Sequence, residues 1–173
     1  MGLHRLSAAE VSRETGISKQ ILSYVLSGKR EMSIDVAVRL DSAFSLPEGA
    51  FLRLQAEDAV DSYREHIRSE LCTAIRSSVA LWSYEEVQAN DLSDDDIIEN
   101  TFLYLDMPEI AMMMRIFRRD KIKQVWKDRL VVQGEYLHDL NVMIARLYFG
   151  IKKPDRYLKA VESQFFNKLN SYV

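Results

Sequence analysis

The chain has 173 residues, of which 47% are hydrophobic and 28% charged, and its formal net charge is −3. That length and apolar content allow one compact domain or two small ones with a real core. The charge excludes a globally basic nucleic-acid binder: residues 1–60 carry seven Lys/Arg against eight Asp/Glu, and residues 61–173 carry sixteen against eighteen. Any DNA binding must therefore come from a local basic surface.

Helical periodicity runs along almost the whole chain, and no window alternates like a strand for more than a few residues. The expectation is all-α, with helices near 8–15, 19–27, 34–45, 49–66, 67–88, 94–105, 108–118, 121–131, 135–149 and 155–171. The two segments that meet at residue 66 can equally form one continuous helix. Ser7 followed by Glu10 is a capping box that starts the first helix. Gly16 stops that helix in a left-handed turn, Ile17 plugs the turn, Ser18 caps the second helix and Gly28 ends it. Ser33 and Ser93 cap later helices with acidic first turns. Pro108 and Pro154 suit first-turn positions, and Gly150 suits a helix stop. Texture changes near residue 66, from small residues to aromatics and long side chains such as Trp82, Trp126, Phe102, Phe117, Tyr148, Phe149, Phe165 and Phe166. The domains expected are 1–66, a helix-turn-helix unit; 67–92, a connecting helix; and 93–173, a C-terminal helical domain for dimerisation or partner binding.

Two short helices around a Gly-containing turn suit a recognition helix laid in the major groove. Leu22, Val25 and Leu26 form the expected inward stripe of that second helix, met by Ile17 and Val11. The opposite face carries Lys19, Gln20, Ser23 and Tyr24. Glutamine pairs with adenine through two hydrogen bonds, lysine reaches guanine acceptors, and tyrosine bonds a phosphate or stacks. Lys29 and Arg30 after the helix neutralise phosphates and fix register. For each residue alone, a solvated surface position is the simpler account; turn, caps, stripe and polar face together carry the DNA reading.

The segment LSAAEVSRETGISKQILSYVLSGKREMSIDVAVRLDSAFSLPEGAFLRLQ resembles the Xre/Cro-type helix-turn-helix family, and within it the HigA-type antitoxins, in a resemblance that covers roughly residues 6–60. The resemblance lies in Leu6-Ser7, Gly16-Ile17-Ser18, Leu22, Ser27-Gly28-Lys29-Arg30, the Ile34…Ala37…Leu40 helix, Phe44 and Phe51…Leu54-Gln55. It implies a lambda-repressor-like bundle with Ser18, Lys19, Gln20, Ile21, Ser23, Tyr24, Ser27, Lys29 and Arg30 at the DNA, Ile21 reaching a thymine methyl. Ala8 stands where the family has a phosphate-clamping polar residue, and Glu31 stands where glycine is usual. Six residues precede Ser7 where the family carries a helix, so apolar surface of the bundle is expected to need cover.

Further on, residues 85–106 hold eight acidic residues (Glu85, Glu86, Asp91, Asp94, Asp95, Asp96, Glu99, Asp106) and no Lys or Arg. Residues 115–129 hold seven basic ones (Arg115, Arg118, Arg119, Lys121, Lys123, Lys127, Arg129) against Asp120 and Asp128. A helix cap paired with a solvated basic face is the simpler reading; a polar surface for nucleic acid or an acidic partner is the sharper one. Met113 with Ile110 and Phe117 reads as core, although three consecutive methionines also suit an adaptable groove. An adjacent pair such as Tyr148-Phe149 or Phe165-Phe166 reads as core aromatics that cannot share one face fully, which leaves one member of each pair for a subunit or partner contact. Residues 93–160, with Asp96-Ile97-Ile98, Val125-Trp126, Gln133-Gly134-Glu135-Tyr136 and Pro154…Tyr157, resemble an uncharacterised domain found beside abortive-infection nucleotidyltransferase toxins.

No converging catalytic groups appear. His4, His66 and His138 lack metal-ligand spacing, and Asp94-Asp95-Asp96 on consecutive helical positions point apart. No enzyme, metal or cofactor is expected. Cys72 stands alone, cannot form an intramolecular disulfide and reads as a small buried residue in a reducing compartment. No apolar run is long enough to span a membrane, and the N-terminus lacks a signal-peptide core. A cytoplasmic DNA-binding regulator is therefore expected, an autorepressing antitoxin with operator DNA, a cognate toxin and a second copy as partners. The alternative is a toxin-neutralising or chaperone-like interaction protein whose helix-turn-helix no longer binds DNA.

Overall fold

The computed structural model describes residues 7–79 and 92–170, and every regular element among them is helical. The chain divides into two compact units, Met1–Tyr63 and Arg64–Val173. Helix α4, Ala50–Val79, is continuous through residue 66 and crosses that boundary.

In the first unit, α1 (Ala8–Thr15), α2 (Lys19–Leu26) and α3 (Ile34–Ala43) meet the start of α4. Ile17, Leu22, Val36 and Leu40 form the core, with Val11, Ile21, Met32 and Phe51 against it. Each helix start follows from its cap: the Ser7, Ser18 and Ser33 hydroxyls accept from the third backbone N–H of their helices. The inward stripe expected for α2 is corrected at one position. Leu26 is 79% exposed, because α2 ends there at the cap residue Ser27 and α3 starts too late to cover it.

One buried charge holds the α3–α4 joint. Asp41, 2% exposed, accepts from the Gly49 N–H at 2.7 Å and the Phe51 N–H at 3.1 Å. These are donors at the start of α4, which have no carbonyl partner within their own helix, and the carboxylate also meets the positive end of the helix dipole. The Asp41 carbonyl accepts from the Leu46 N–H at 2.8 Å, closing the end of α3. A second tie is Gln55, whose amide accepts from the Met32 N–H at 2.6 Å and donates to the Met32 carbonyl at 3.5 Å.

The second unit contains α5 (Asp94–Tyr104), α6 (Met107–Ile116), α7 (Arg119–Val125), α8 (His138–Leu147) and α9 (Pro154–Asn170). Its core begins with Ile67, Leu71, Cys72 and Ile75, so residues 67–79 are a wall of this unit rather than a bare connector. Burial pushes the Cys72 thiol pKa up, as suits a packed apolar residue. Trp82, Glu85, Glu86, Asp91 and the end of the helix expected over 67–88 lie outside the described residues, as do residues 1–6 and 171–173.

The helix expected over 121–131 is corrected. It runs α-helically only to Val125, then widens into a π turn at Trp126–Leu130 and a 3-10 segment at Val131–Leu137. The fully buried Trp126 donates its indole N–H to the Asn141 amide oxygen at 2.8 Å. Asn141, itself buried, donates to the Leu130 carbonyl at 3.2 Å, giving a partner to a backbone group at the end of the π turn. Gly134 breaks the segment at φ 65° and ψ −139°, a conformation essentially restricted to glycine.

The acidic start of α5 is a clamp. Asp96 completes a capping box with Ser93. Arg129, in the π turn, reaches Asp96 at 2.7 Å and Glu99 at 2.9 Å, with Asp95 at 3.7 Å. Lys121 also pairs with Asp95, and Arg68 of α4 pairs with Asp94 while donating to the Leu92 carbonyl at 2.7 Å. Each acidic side chain of the triplet thus faces a cation from a different element. The Ser93 hydrogen bonds and then Arg129 hold the Asp96 carboxyl below its ordinary value.

Removing the acceptor in Asp41→Ala is expected to destabilise the first unit by about 2 kcal/mol, since two half-buried N–H groups at the start of α4 lose their carboxylate partner. Faster amide exchange at Gly49 and Phe51, with an earlier urea transition, checks it; unchanged exchange contradicts it. Arg129→Met is expected to cost about 1–2 kcal/mol, reduced by solvent screening at the open edge of the network. Because the folded Asp96 pKa is depressed, its contribution is present above the unfolded value near 4 and disappears as pH falls through the lower folded value. Melting curves across this acid range should show a steeper loss in the wild-type chain than in Arg129→Met.

Candidate nucleic-acid interface

The turn between α1 and α2 is built by three consecutive residues. Gly16 takes φ 68° and its N–H bonds the Ser12 carbonyl, ending α1. Ile17 turns inward and is 3% exposed, so the turn is pinned to the core. Ser18 then starts α2, its Oγ accepting from the Ile21 N–H at 3.3 Å. Thr15 adds a brace: its Oγ1 donates to the Val11 carbonyl at 2.7 Å and accepts from the Ile17 N–H at 3.2 Å. At the start of α1, Glu10 accepts from both the Ser7 N–H and the Ser7 hydroxyl at 2.7 Å, and these bonds lower its carboxyl pKa.

With Leu22 fixed inward, helical geometry turns Lys19, Gln20, Ser23 and Tyr24 outward, and all four are exposed. Gln20 and Tyr24 lie one turn apart and are already joined, the Gln20 amide nitrogen donating to the Tyr24 hydroxyl oxygen at 3.1 Å. That bond leaves the Gln20 carbonyl oxygen and the phenolic proton available, an acceptor and a donor held side by side. Ile21 is half-buried against the core and offers only its outer edge. Ser18 and Ser27 are exposed, and the Ser27 hydroxyl donates back to the Tyr24 carbonyl at 3.3 Å.

Lys29 and Arg30 follow directly. Their backbone N–H groups both bond the Tyr24 carbonyl, at 2.9 and 3.2 Å, and hold the segment against the end of α2. Both side chains are exposed and neither has a carboxylate partner among the described residues. Glu31, also exposed, places an opposite charge beside them. The expected residues thus lie along the outer face and C-terminal end of one helix, presenting cations, an amide and a phenol to solvent.

Sequence reasoning missed what fixes this face from behind. Asp41 and Gln55 touch none of the outward side chains, yet they set α3 and α4 beneath α2. The sequence did hold a cue in the acidic residue eight positions before Gly49, where an orphaned helix start had to find an acceptor. The unit also exposes apolar side chains, including Leu26, Ile34 at 70%, Val38 and Leu54.

Elsewhere, no group of three or more His, Cys, Asp or Glu among the described residues is placed to hold a metal ion. No described helix is long and apolar enough to cross a membrane. No family model matches the chain, and no curated protein or solved structure is significantly similar to it.

Proposed function

We propose that this chain is a DNA-binding transcriptional regulator of the Xre/Cro-like kind, an antitoxin that represses its own toxin–antitoxin or phage-defence operon. The observation that carries the reading is the α1–turn–α2 unit. It is doubly capped and pinned by Ile17, with a solvent-facing row of Lys19, Gln20, Ser23 and Tyr24 that ends in Lys29 and Arg30, cations without a carboxylate partner among the described residues. In this reading α2 enters the major groove, where Gln20 and Tyr24 read base edges as a unit and Lys29 and Arg30 hold phosphates. A homodimer then spans a near-palindromic operator, and the second unit contributes dimer contacts, toxin neutralisation or both. The chemistry is binding alone, without metal or cofactor.

A second reading, an interaction protein that keeps the scaffold without reading DNA, is favoured by one observation. Glu31 is exposed directly beside Lys29 and Arg30, where it repels a phosphate backbone.

The double variant Gln20→Ala, Tyr24→Ala is expected to abolish specific retention of DNA from upstream of the chain's own gene. Its helical circular dichroism should remain intact, because both side chains are exposed. Unchanged affinity in that variant removes α2 as the recognition helix. Replacing Lys29 and Arg30 by alanine should instead weaken binding to all sequences alike. It should also lower the salt dependence of the binding constant by about 2 in the logarithmic slope.

A further inference from the structure

Gln20 and Tyr24 stand one turn apart on the outer face of α2, both exposed and already hydrogen-bonded to each other. The direction of that bond decides what the pair offers. The Gln20 amide nitrogen donates to the Tyr24 hydroxyl oxygen at 3.1 Å, which turns the nitrogen toward the phenol. The phenolic proton is left to donate outward and the Gln20 carbonyl oxygen to accept. Among the described residues neither group has a further partner. Side chains on a helix lean toward its N-terminus, so Tyr24 lies back over Gln20, and its longer side chain carries the hydroxyl out to the level of the amide. Accepting the amide proton also polarises the phenol and strengthens it as a donor.

We propose that Gln20 and Tyr24 together specify one adenine in the major groove, the Gln20 carbonyl oxygen accepting from the N6 amino group and the Tyr24 hydroxyl donating to N7. Adenine alone sets a donor beside an acceptor on the major-groove edge of a single base. Guanine shows two acceptors, N7 and O6, and O6 would face the Gln20 oxygen with no proton between them. Thymine offers the O4 acceptor beside its methyl group, and cytosine the N4 donor beside a carbon. Each of these leaves one member of the pair without a partner. The inference deepens the proposed function and rests on α2 being the recognition helix. It differs from readout by a glutamine alone, in which the amide nitrogen itself meets N7 and Tyr24 has no part in the choice of base.

The full chain, Gln20→Ala and Tyr24→Phe are each used to select duplexes from a randomised pool. Both side chains are exposed, and the Tyr24 carbonyl that holds Lys29 and Arg30 is unchanged, so both variants should keep the wild-type circular dichroism. The wild-type chain should fix an adenine at one position where Gln20→Ala accepts any base. In the best wild-type duplex that adenine is then replaced by 7-deazaadenine, which still pairs with thymine but lacks N7. Wild-type affinity should fall about tenfold, within the range of a base contact, while Tyr24→Phe should bind the two duplexes equally. Wild-type indifference to 7-deazaadenine overturns the proposal, and so does an equal loss in Tyr24→Phe, which gives N7 to the Gln20 amide. Guanine, cytosine or thymine fixed at the position that Gln20→Ala relaxes overturns it as well. Those three results leave α2 as the recognition helix. A wild-type chain that selects no duplex, or the same selection by Gln20→Ala, removes that reading and the proposal with it.

Discussion

Helices of eight residues do not support themselves in water, because nucleation costs more than so few hydrogen bonds return. Helices α1 and α2 therefore depend on having both ends closed and one face buried. Serine caps close the N-terminal ends, the left-handed Gly16 closes α1, and Ile17 and Leu22 supply the buried anchor. The buried face in turn requires α3 and α4 to stand at a fixed angle. That angle is set by the Asp41 carboxylate on the first N–H groups of α4 and by Gln55 on the Met32 peptide. A charge with 2% exposure is tolerated there because the donors it meets would otherwise be orphaned. The outward row on α2 is the geometric consequence of these inward restraints.

The second unit solves a different problem with the same chemistry. Acidic residues crowded into one helix start repel one another, and the fold resolves this by bringing Arg68, Lys121 and Arg129 to them from separate elements. Arg129 stands in the π turn, the place where the helix widens around the buried Trp126–Asn141 hydrogen bond. The widening and the clamp are thus parts of one arrangement. Arg119 and Lys123 of the same stretch turn elsewhere, to the Tyr148 carbonyl and to the rings of Phe149 and Tyr157.

The local signals were the legible ones. The capping box at Ser7, the N-cap at Ser93, the Gly16 stop and the Ile17 plug depend on neighbours within a few residues, so the sequence displays them directly. Met113 with Ile110 as core followed from spacing, and Phe166 rather than Phe165 is the more exposed member of its pair. What the sequence hid depends on distant partners. Leu26 carries the spacing of a core residue and is exposed because none of the described elements covers the end of α2. Asp41 looks like a surface aspartate until α4 is folded against it. The π turn has no local signature, since the group that meets its last carbonyl is Asn141 in another helix. For the outward face of α2, spacing alone was enough to name the residues, but the bond joining Gln20 to Tyr24 depends on side-chain rotamers that spacing does not display.

The central claim is that the outer face of α2, and no other surface, meets duplex DNA. The most direct measurement is residue-by-residue NMR on the full chain, titrated with the duplex from upstream of its own gene. The account predicts amide and side-chain shifts concentrated in residues 18–24 and at Lys29 and Arg30, fading as salt rises, with α5–α9 unperturbed. Shifts confined to the second unit, or spread without a maximum on α2, would contradict it.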